Sequence, residues 1–443
     1  MTDRATQIRT ALALGPVPTE SLRAVLNVSR PTLARALAAM PGEIVTLGAA
    51  RSTQYAMRDS FRGLADIPVY RVNETGQINP LGRLIPVRPD GFVLVQLDGT
   101  TVHHEGLPWW LTDMRPQGFL GRAYARQYAT SLGLPPDVRH WSDTDALRAL
   151  LTNGGDAVGN LLLGEVARDR FVNAPGAAVV GTDAYPLLAA QALALGDTWS
   201  SAGGEQPKFC ATTASGHVLV KFSVPDDNPV AKRWRDLLLA EHLALETLAA
   251  GGVDAAASKV VDVGAQRFLE LERFDRVGTH GRCTLLSLAS LDGEFVGNAT
   301  GPWPAVTADL YQQKIITMQA HAGAALLYAF GTLIGNTDMH GGNLSFVNAS
   351  VSELGRPYAL SPAYDMLPMA FSPAAGGVIR DTVPVAHLHP AVDGDTWRAA
   401  QVLSAEYLTR LSDETRFSDS FRPCINAIRA HLDDAAPRIG RLG

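Results

Sequence analysis

The sequence predicts an α+β chain: a small helical module at the N-terminus, a mostly β lobe through about residue 275, and a helical lobe after it. Three observations lead there. Residues 1–60 hold short helical patterns broken at Gly15-Pro16, Asn27-Val28 and Pro41-Gly42. Residues 66–125 begin by alternating apolar and polar residues between Gly, Pro and Asn turns, the period of a half-buried strand. From Tyr311 onward apolar residues recur at helical spacing. The 443 residues correspond to roughly three domains, and 46% hydrophobic with 19% charged residues suits packed cores.

In the first module a helix over Thr2–Leu14 turns Ile8, Ala11 and Leu12 inward. Thr19 caps a second helix with Leu22, Val25 and Leu26, and Ser29 precedes a third, RPTLARALAAM. Two short helices joined by a tight turn make a helix-turn-helix, and Glu43–Met57 alternates as a two-stranded wing. Up to Asp59 the module carries seven arginines against Asp3, Glu20, Glu43 and Asp59, a local basic excess of the kind DNA binding requires. Arg30, Thr32 and Arg35 would then face the major groove. A three-helix packing module is the alternative. The net charge of −6 excludes a chain that coats nucleic acid along its length. No apolar run approaches the ~20 residues needed to span a bilayer, and the N-terminus lacks a signal-peptide core. Cys210, Cys283 and Cys424 are too scattered for a disulfide framework or a zinc site. These features describe a cytosolic (cytoplasmic) protein without membrane partners.

The expected divisions are 1–60, a winged helix-turn-helix; 61–165, a β subdomain; 166–275, the β-rich lobe; and 276–443, the helical lobe. In the β subdomain His103-His104 reads as a surface loop pair, Trp109-Trp110 as a hydrophobic anchor, and SDTDALRALL as a helix. None of these forms a catalytic constellation.

The chemistry lies downstream. WSSAGGEQPKF (199–209) offers two serines, small residues that let backbone N–H groups approach a phosphate, and Lys208, without the Walker A pattern. HVLVKFSVP (217–225) is a buried strand carrying Lys221, one of only five lysines, and a buried lysine is costly unless paired. Glu241, on the helix starting near Lys232, is the available partner. VVDVGAQRFLELERFDRV reads as a hairpin ending in Glu272-Arg273-Phe274, a segment that offers backbone groups to adenine. A long helix from Tyr311 then feeds LIGNTDMHGGNLSF (333–346), where Asp338 and Asn343 stand five apart, the spacing of a protein-kinase catalytic loop. In such loops the Asp takes the proton of the attacking hydroxyl and the Asn holds magnesium. Asp365, in SPAYDMLP, supplies a second oxygen ligand. A base, two metal ligands and a cation on the phosphates suffice for phosphoryl transfer from ATP with Mg2+. The remainder, 366–443, reads as mostly helical, and His387 with His389 lacks a third metal ligand.

Together Ser200-Ser201 with GGEQPK, Lys221 in VLVKF, Glu272-Arg273-Phe274-Asp275, GNTDMHGGN and AYDMLP resemble, over roughly residues 66–440, the HipA family of bacterial serine/threonine kinase toxins. The resemblance implies a two-lobed, HipA-type protein-kinase-like fold. It implies Asp338 as catalytic base, Asn343 and Asp365 as magnesium ligands, and Lys221 on the nucleotide phosphates, backed by Gly203, Gly204, Glu205, Gln206, Pro207 and Lys208. Glu272, Arg273 and Phe274 would meet the adenine, with His340, Gly341, Gly342, Asn343 and Tyr364 lining the same site. Ser201, or Ser200 beside it, would be autophosphorylated. Glu205 departs from the family's small or apolar residue in this loop. The fused helix-turn-helix, which ordinary members leave to a separate antitoxin, resembles the YjjJ-like subgroup.

Three functions fit at this level: a protein serine/threonine kinase that also binds DNA, a transcriptional regulator with a degenerate nucleotide-binding kinase fold, and a small-molecule kinase. The presence of Lys221, Asp338, Asn343 and Asp365 together favours an active enzyme. Kinship implies a protein substrate, a translation-linked one such as an aminoacyl-tRNA synthetase being one case. Expected partners are DNA and, as an open case, a second copy of the chain.

Overall fold

Asn27 adopts the left-handed conformation (φ 50°), and the Ser29 side chain accepts from Thr32 N–H at the start of the next helix, so the chain reverses tightly between helices Thr19–Leu26 and Arg30–Ala38. In the computed structural model, residues 3–174, 176–195, 206–348, 355–374 and 376–442 are described, and they divide into two units.

The first unit comprises Met1–Arg115 and His140–Ala174. Helices Arg4–Ala11, Thr19–Leu26 and Arg30–Ala38 close over Ile8, Leu12, Leu22, Leu33, Met40 and Met57. Strands Ile44–Leu47 and Gln54–Met57 pair antiparallel as the wing, and Val17–Pro18 adds a short third strand. Because side chains alternate along a strand, the wing presents a second apolar face. Val45, Leu47 and Ala56 pack on Ile85, Val87 and Val93 of a five-stranded antiparallel sheet. That sheet runs Thr101–His104, Gly91–Gln96, Ile78–Val87, Ile67–Val72, Leu161–Leu163 in spatial order. Helix Asp143–Asn153, opened by a Ser142/Asp145 capping box, turns Leu147 and Leu150 onto Ile67, Val69, Leu84 and Phe92. His103 and His104 lie on the edge strand rather than in a loop, half-buried.

The second unit comprises Pro116–Arg139 and Pro175–Gly443 and has two lobes. Four antiparallel strands, Ser258–Val263, Gln266–Glu272, Gly216–Phe222 and Lys208–Thr213 in spatial order, form the β lobe. One face carries Phe209, Val218, Val220, Phe222 and Phe268 beneath Tyr185 and Ala189 of helix Tyr185–Leu195. Helix Pro229–Ala250, capped by Asn228 on Ala231 N–H at 2.8 Å, follows the central strand. The helical lobe holds Leu288–Phe295, Trp303–Gln312, Met318–Ile334, Gly394–Asp413 and Arg422–Ile439, with a small sheet of Leu286–Ser287, Ser345–Asn348 and Tyr358–Leu360.

Three further expectations change. The long helix from Tyr311 is two helices: Lys314 turns left-handed (φ 58°), and Thr317 caps the second on Ala320 N–H at 3.0 Å. Among the described residues segment 366–393 is largely irregular, holding one short 3-10 turn at Met369–Phe371, and the α-helices begin at Gly394. The divisions also shift, because helix Gly118–Leu132 groups with the second unit and Gly164–Asn173 with the first. Among the described residues no helix is long and apolar enough to cross a membrane.

Candidate active site

Strand alternation sets the lysine. Val218, Val220 and Phe222 enter the apolar face, so Lys221 points the other way, toward helix Pro229–Ala250. Its ammonium, 5% exposed, lies 2.6 and 2.9 Å from the two oxygens of Glu241, itself 1% exposed, and donates to Asp365 as well. Burial alone would pull Lys221 down, but Asp365 and Glu241 outweigh it and raise its pKa. Burial pushes Glu241 up despite Lys221. Burial also weighs on Asp365, but Lys221 and Lys208 prevail and hold it below the usual range. The two carboxylates sharing one ammonium are thus shifted in opposite directions, Asp365 down and Glu241 up.

Asp365 is placed by its backbone. Ala363 donates to Asp254 O and accepts from Ala256 N–H, each at 2.9 Å, stitching the segment to the β lobe. Asp365 itself is left-handed (φ 51°), a conformation costly to most side chains and easiest for Asn or Asp.

Helix Met318–Ile334 ends on Gly335 (φ 81°), whose freedom lets the chain turn into the catalytic stretch. Asn336, 3% exposed, then spans both chemical centres: its Oδ1 accepts from Asp338 N–H (3.0 Å) and its Nδ2 donates to the Asp365 carbonyl (3.2 Å). The Asp338 carboxylate is half exposed, yet the cleft desolvates it enough to raise its pKa. His340, with Nε2 at 3.9 Å, opposes that rise, and the charge of Asp365 adds to it. His340 Nδ1 accepts from Gly342 N–H at 3.0 Å, and its carbonyl accepts from Trp303 Nε1 at 3.0 Å. A Cβ on Gly341 would stand 3.0 Å from Ala289 N, so only glycine lets the loop lie this close to helix Leu288–Phe295. Asn343 Nδ2 donates to the Asp338 carbonyl (2.8 Å), which turns its oxygen free to bind a cation. Tyr364 Oη donates to Gly342 O and meets Ser345 Oγ at 2.7 Å.

At the far end of the cleft, Glu272 N–H donates to Ala257 O and Arg273 N–H to His217 O. The Phe274 ring lies 5.8 Å from that of Tyr364. The Arg273 guanidinium is drawn to Asp275 at 3.0–3.1 Å, and the Arg273 carbonyl accepts from Arg276 N–H at 3.0 Å. Gln206 donates to the Phe222 carbonyl, Pro207 O accepts from Phe222 N–H, and Lys208 stands opposite Lys221 in the sheet. Ser200, Ser201, Gly203, Gly204 and Glu205 lie outside the described residues. The structure thus brings together Lys208, Lys221, Glu241, Asp338, His340, Asn343 and Asp365. It adds Asn336 and Trp303, which sequence reasoning missed; the only signal for Asn336 was its place inside GNTDMHGGN.

On the helix-turn-helix, Arg30 pairs with Glu20 (Nε–Oε1 3.0 Å), which also holds Arg23 at 2.5 Å. Thr32 Oγ1 meets Ser29 Oγ at 2.9 Å, and Arg35 reaches only its own helix at Pro31 O, 3.4 Å.

A family model described as the YjjJ-like toxin middle domain matches residues 64–172, and one described as the HipA-like C-terminal domain matches residues 200–435. The sequence is 40% identical over 442 residues to "Toxin YjjJ" of Escherichia coli (strain K12), covering 98% of each chain. Among solved structures, a chain of the Shewanella oneidensis MR-1 toxin–antitoxin complex of HipA, HipB and operator DNA superposes with a TM-score of 0.51 at 14% identity, covering 85% of this chain and 97% of that one.

Proposed function

This chain belongs to the HipA-like toxin family, in its YjjJ-like branch, and on that premise we propose that it is an ATP- and Mg2+-dependent serine/threonine protein kinase that binds DNA through residues 1–60. The observation that carries the reading is the meeting of Lys221, Glu241 and Asp365 with a loop in which Asp338 stands poised as base and Asn336 ties both centres together.

In this reading the backbone of Glu272–Phe274 receives the adenine beside the Phe274 and Tyr364 rings. Lys221, fixed by Glu241, holds the phosphates. Asp338 accepts the proton of the acceptor hydroxyl, and the raised pKa that burial gives it suits that task. The donor set fits magnesium: the Asn343 oxygen is free of its own loop, and Asp365 is an ionised carboxylate already facing a cation. Asn343 and Asp365 would hold Mg2+ there, where it would supply positive charge to offset the charge that develops in transfer. Ser201, or Ser200, is the self-acceptor in this proposal. Incubating purified protein with labelled ATP, alone and with a cell lysate, and mapping the phosphosites tests it. No label on any hydroxyl, with nucleotide still bound, would instead favour a degenerate nucleotide-binding regulator.

For the DNA arm, the structural neighbour was solved with HipB and operator DNA; here a winged helix-turn-helix belongs to the chain itself. Glu20 already engages Arg30, whereas Arg35 reaches only a carbonyl of its own helix. Arg35→Ala in the full chain is therefore expected to cost about 1–3 kcal/mol of DNA affinity. Binding should weaken steeply with salt as phosphate contacts release counterions. Anisotropy titrations at several salt concentrations check this; unchanged affinity in an Arg30→Ala/Arg35→Ala protein would remove the module from DNA recognition.

A further inference from the structure

The helix that carries Glu241 is buried on nearly every side, and its buried residues include two charged ones that the phosphoryl-transfer reading does not use. Arg233 and Asp236 are each 2% exposed. The Arg233 guanidinium donates to Asp381 Oδ1 at 2.6 Å, to the carbonyls of Arg380 (2.8 Å) and Phe371 (3.2 Å), and lies 5.6 Å from the Phe421 ring. One turn later Asp236 accepts from Ser418 N–H at 3.0 Å and Ser418 Oγ at 2.5 Å. Beyond that, Tyr407 Oη donates to the Ala240 carbonyl at 3.2 Å, directly before Glu241. Three successive turns of the helix are thus fastened to the helical lobe, through the segment that follows Asp365 and through residues 407–421.

In protein kinases the corresponding lysine–glutamate pair is commonly assembled by phosphorylating the segment after the metal-binding Asp, the new phosphate being gripped by arginine. Here the arginine's two terminal nitrogens already meet a carboxylate and two carbonyls of that segment, while its buried Nε has no hydrogen-bond partner. Removing such a buried partner is costly, because it strands charge away from water. We propose that Arg233 and Asp236 are positioning residues that bolt the Glu241 helix to the helical lobe, with Asp381 standing where a phosphate would, so that the Lys221–Glu241 pair is assembled without phosphorylation of segment 366–393. This rests on the kinase reading for its catalytic consequence, but the bolt itself is independent of it.

Segment 366–393 contains only two hydroxyl side chains, Ser372 and Thr382. Hydrogen exchange on phosphatase-treated, nucleotide-free full-length protein should find the amides of 233–241 strongly protected, and Arg233→Met should speed their exchange tenfold or more. In transfer assays well below the melting temperature, the Ser372→Ala/Thr382→Val protein should match wild type within about twofold. Arg233→Met should lower kcat at least tenfold with the KM of the protein acceptor unchanged, and Arg233→Lys, which keeps the Asp381 pair, should recover part of it. Rapid exchange of 233–241 in the unphosphorylated wild type overturns the proposal, as does activity that requires phosphate on Ser372 or Thr382. A wild-type protein that transfers no phosphate under any condition defeats the kinase reading instead, and the exchange result still decides whether the helix is bolted.

Discussion

Asp338→Asn is expected to slow phosphoryl transfer by ~10²–10⁴-fold while leaving nucleotide binding in place. The substitution is nearly isosteric and keeps the backbone contacts that shape the loop: Asp338 N–H still meets Asn336, and its carbonyl still meets Asn343. Lys221, Glu241 and Asp365 are untouched. What disappears is the group proposed to take the hydroxyl proton. The pH profile supplies a second reading. Burial raises the Asp338 pKa, and only the deprotonated form can act as base. The rate should therefore fall as pH drops through a value above the ordinary aspartate range, and that limb should vanish in the variant's residual rate. Single-turnover transfer together with calorimetric ATP titration measures both; undiminished labelling would remove Asp338 from the base role.

Lys221→Met should destabilise the second unit by about 3–5 kcal/mol near neutral pH, the range for breaking a buried ion pair by removing one partner. The ammonium it removes serves two carboxylates at once, one of them 1% exposed. Glu241 then keeps only the weaker pull of Lys208, and burial, which already raises its pKa, acts unopposed by Lys221. The sign follows from linkage. With its folded pKa above the unfolded value of ~4.3, Glu241 favours the folded state fully below that value, and the advantage is lost as pH rises through the folded pKa. The variant's deficit should accordingly shrink on acidification. Urea midpoints of wild type and variant across pH 5–8 decide it, and a deficit that does not change with pH would place the cost in packing instead.

The parts of this site that were legible in the sequence are those whose cost is local. A lysine in an apolar strand, in a chain with five lysines, demands a partner, and the next helix offered Glu241 among its acidic residues. Asp338, Asn343 and Asp365 stood out because polar residues interrupted apolar runs. Asn336 did not, since an asparagine in a loop is accounted for by turn formation, and nothing local says that its amide reaches residue 365. Arg233 and Asp236 were hidden for the opposite reason. Charged residues early in a helix read as its solvent face, and only packing against both lobes buries them. The break at Lys314 was equally invisible, because Ile315 and Ile316 continue the helical pattern and a left-handed lysine is rare. Likewise, only long-range packing assigns helix Gly118–Leu132 to the second unit.

The wing of the helix-turn-helix shares its apolar underside with the neighbouring sheet, through Val45, Leu47 and Ala56 on Ile85, Val87 and Val93. A boundary drawn at residue 60 is therefore a boundary in the sequence but not in the solvent. Severing the chain there would leave two greasy scars, one on each fragment, prone to stick to whatever is near. A module joined in this way cannot be shuffled among genes by moving its first sixty codons alone; the recipient must also carry a sheet with a matching apolar face. The helix-turn-helix and the five-stranded sheet are in that sense one heritable part, and any donor of the first has to donate the second.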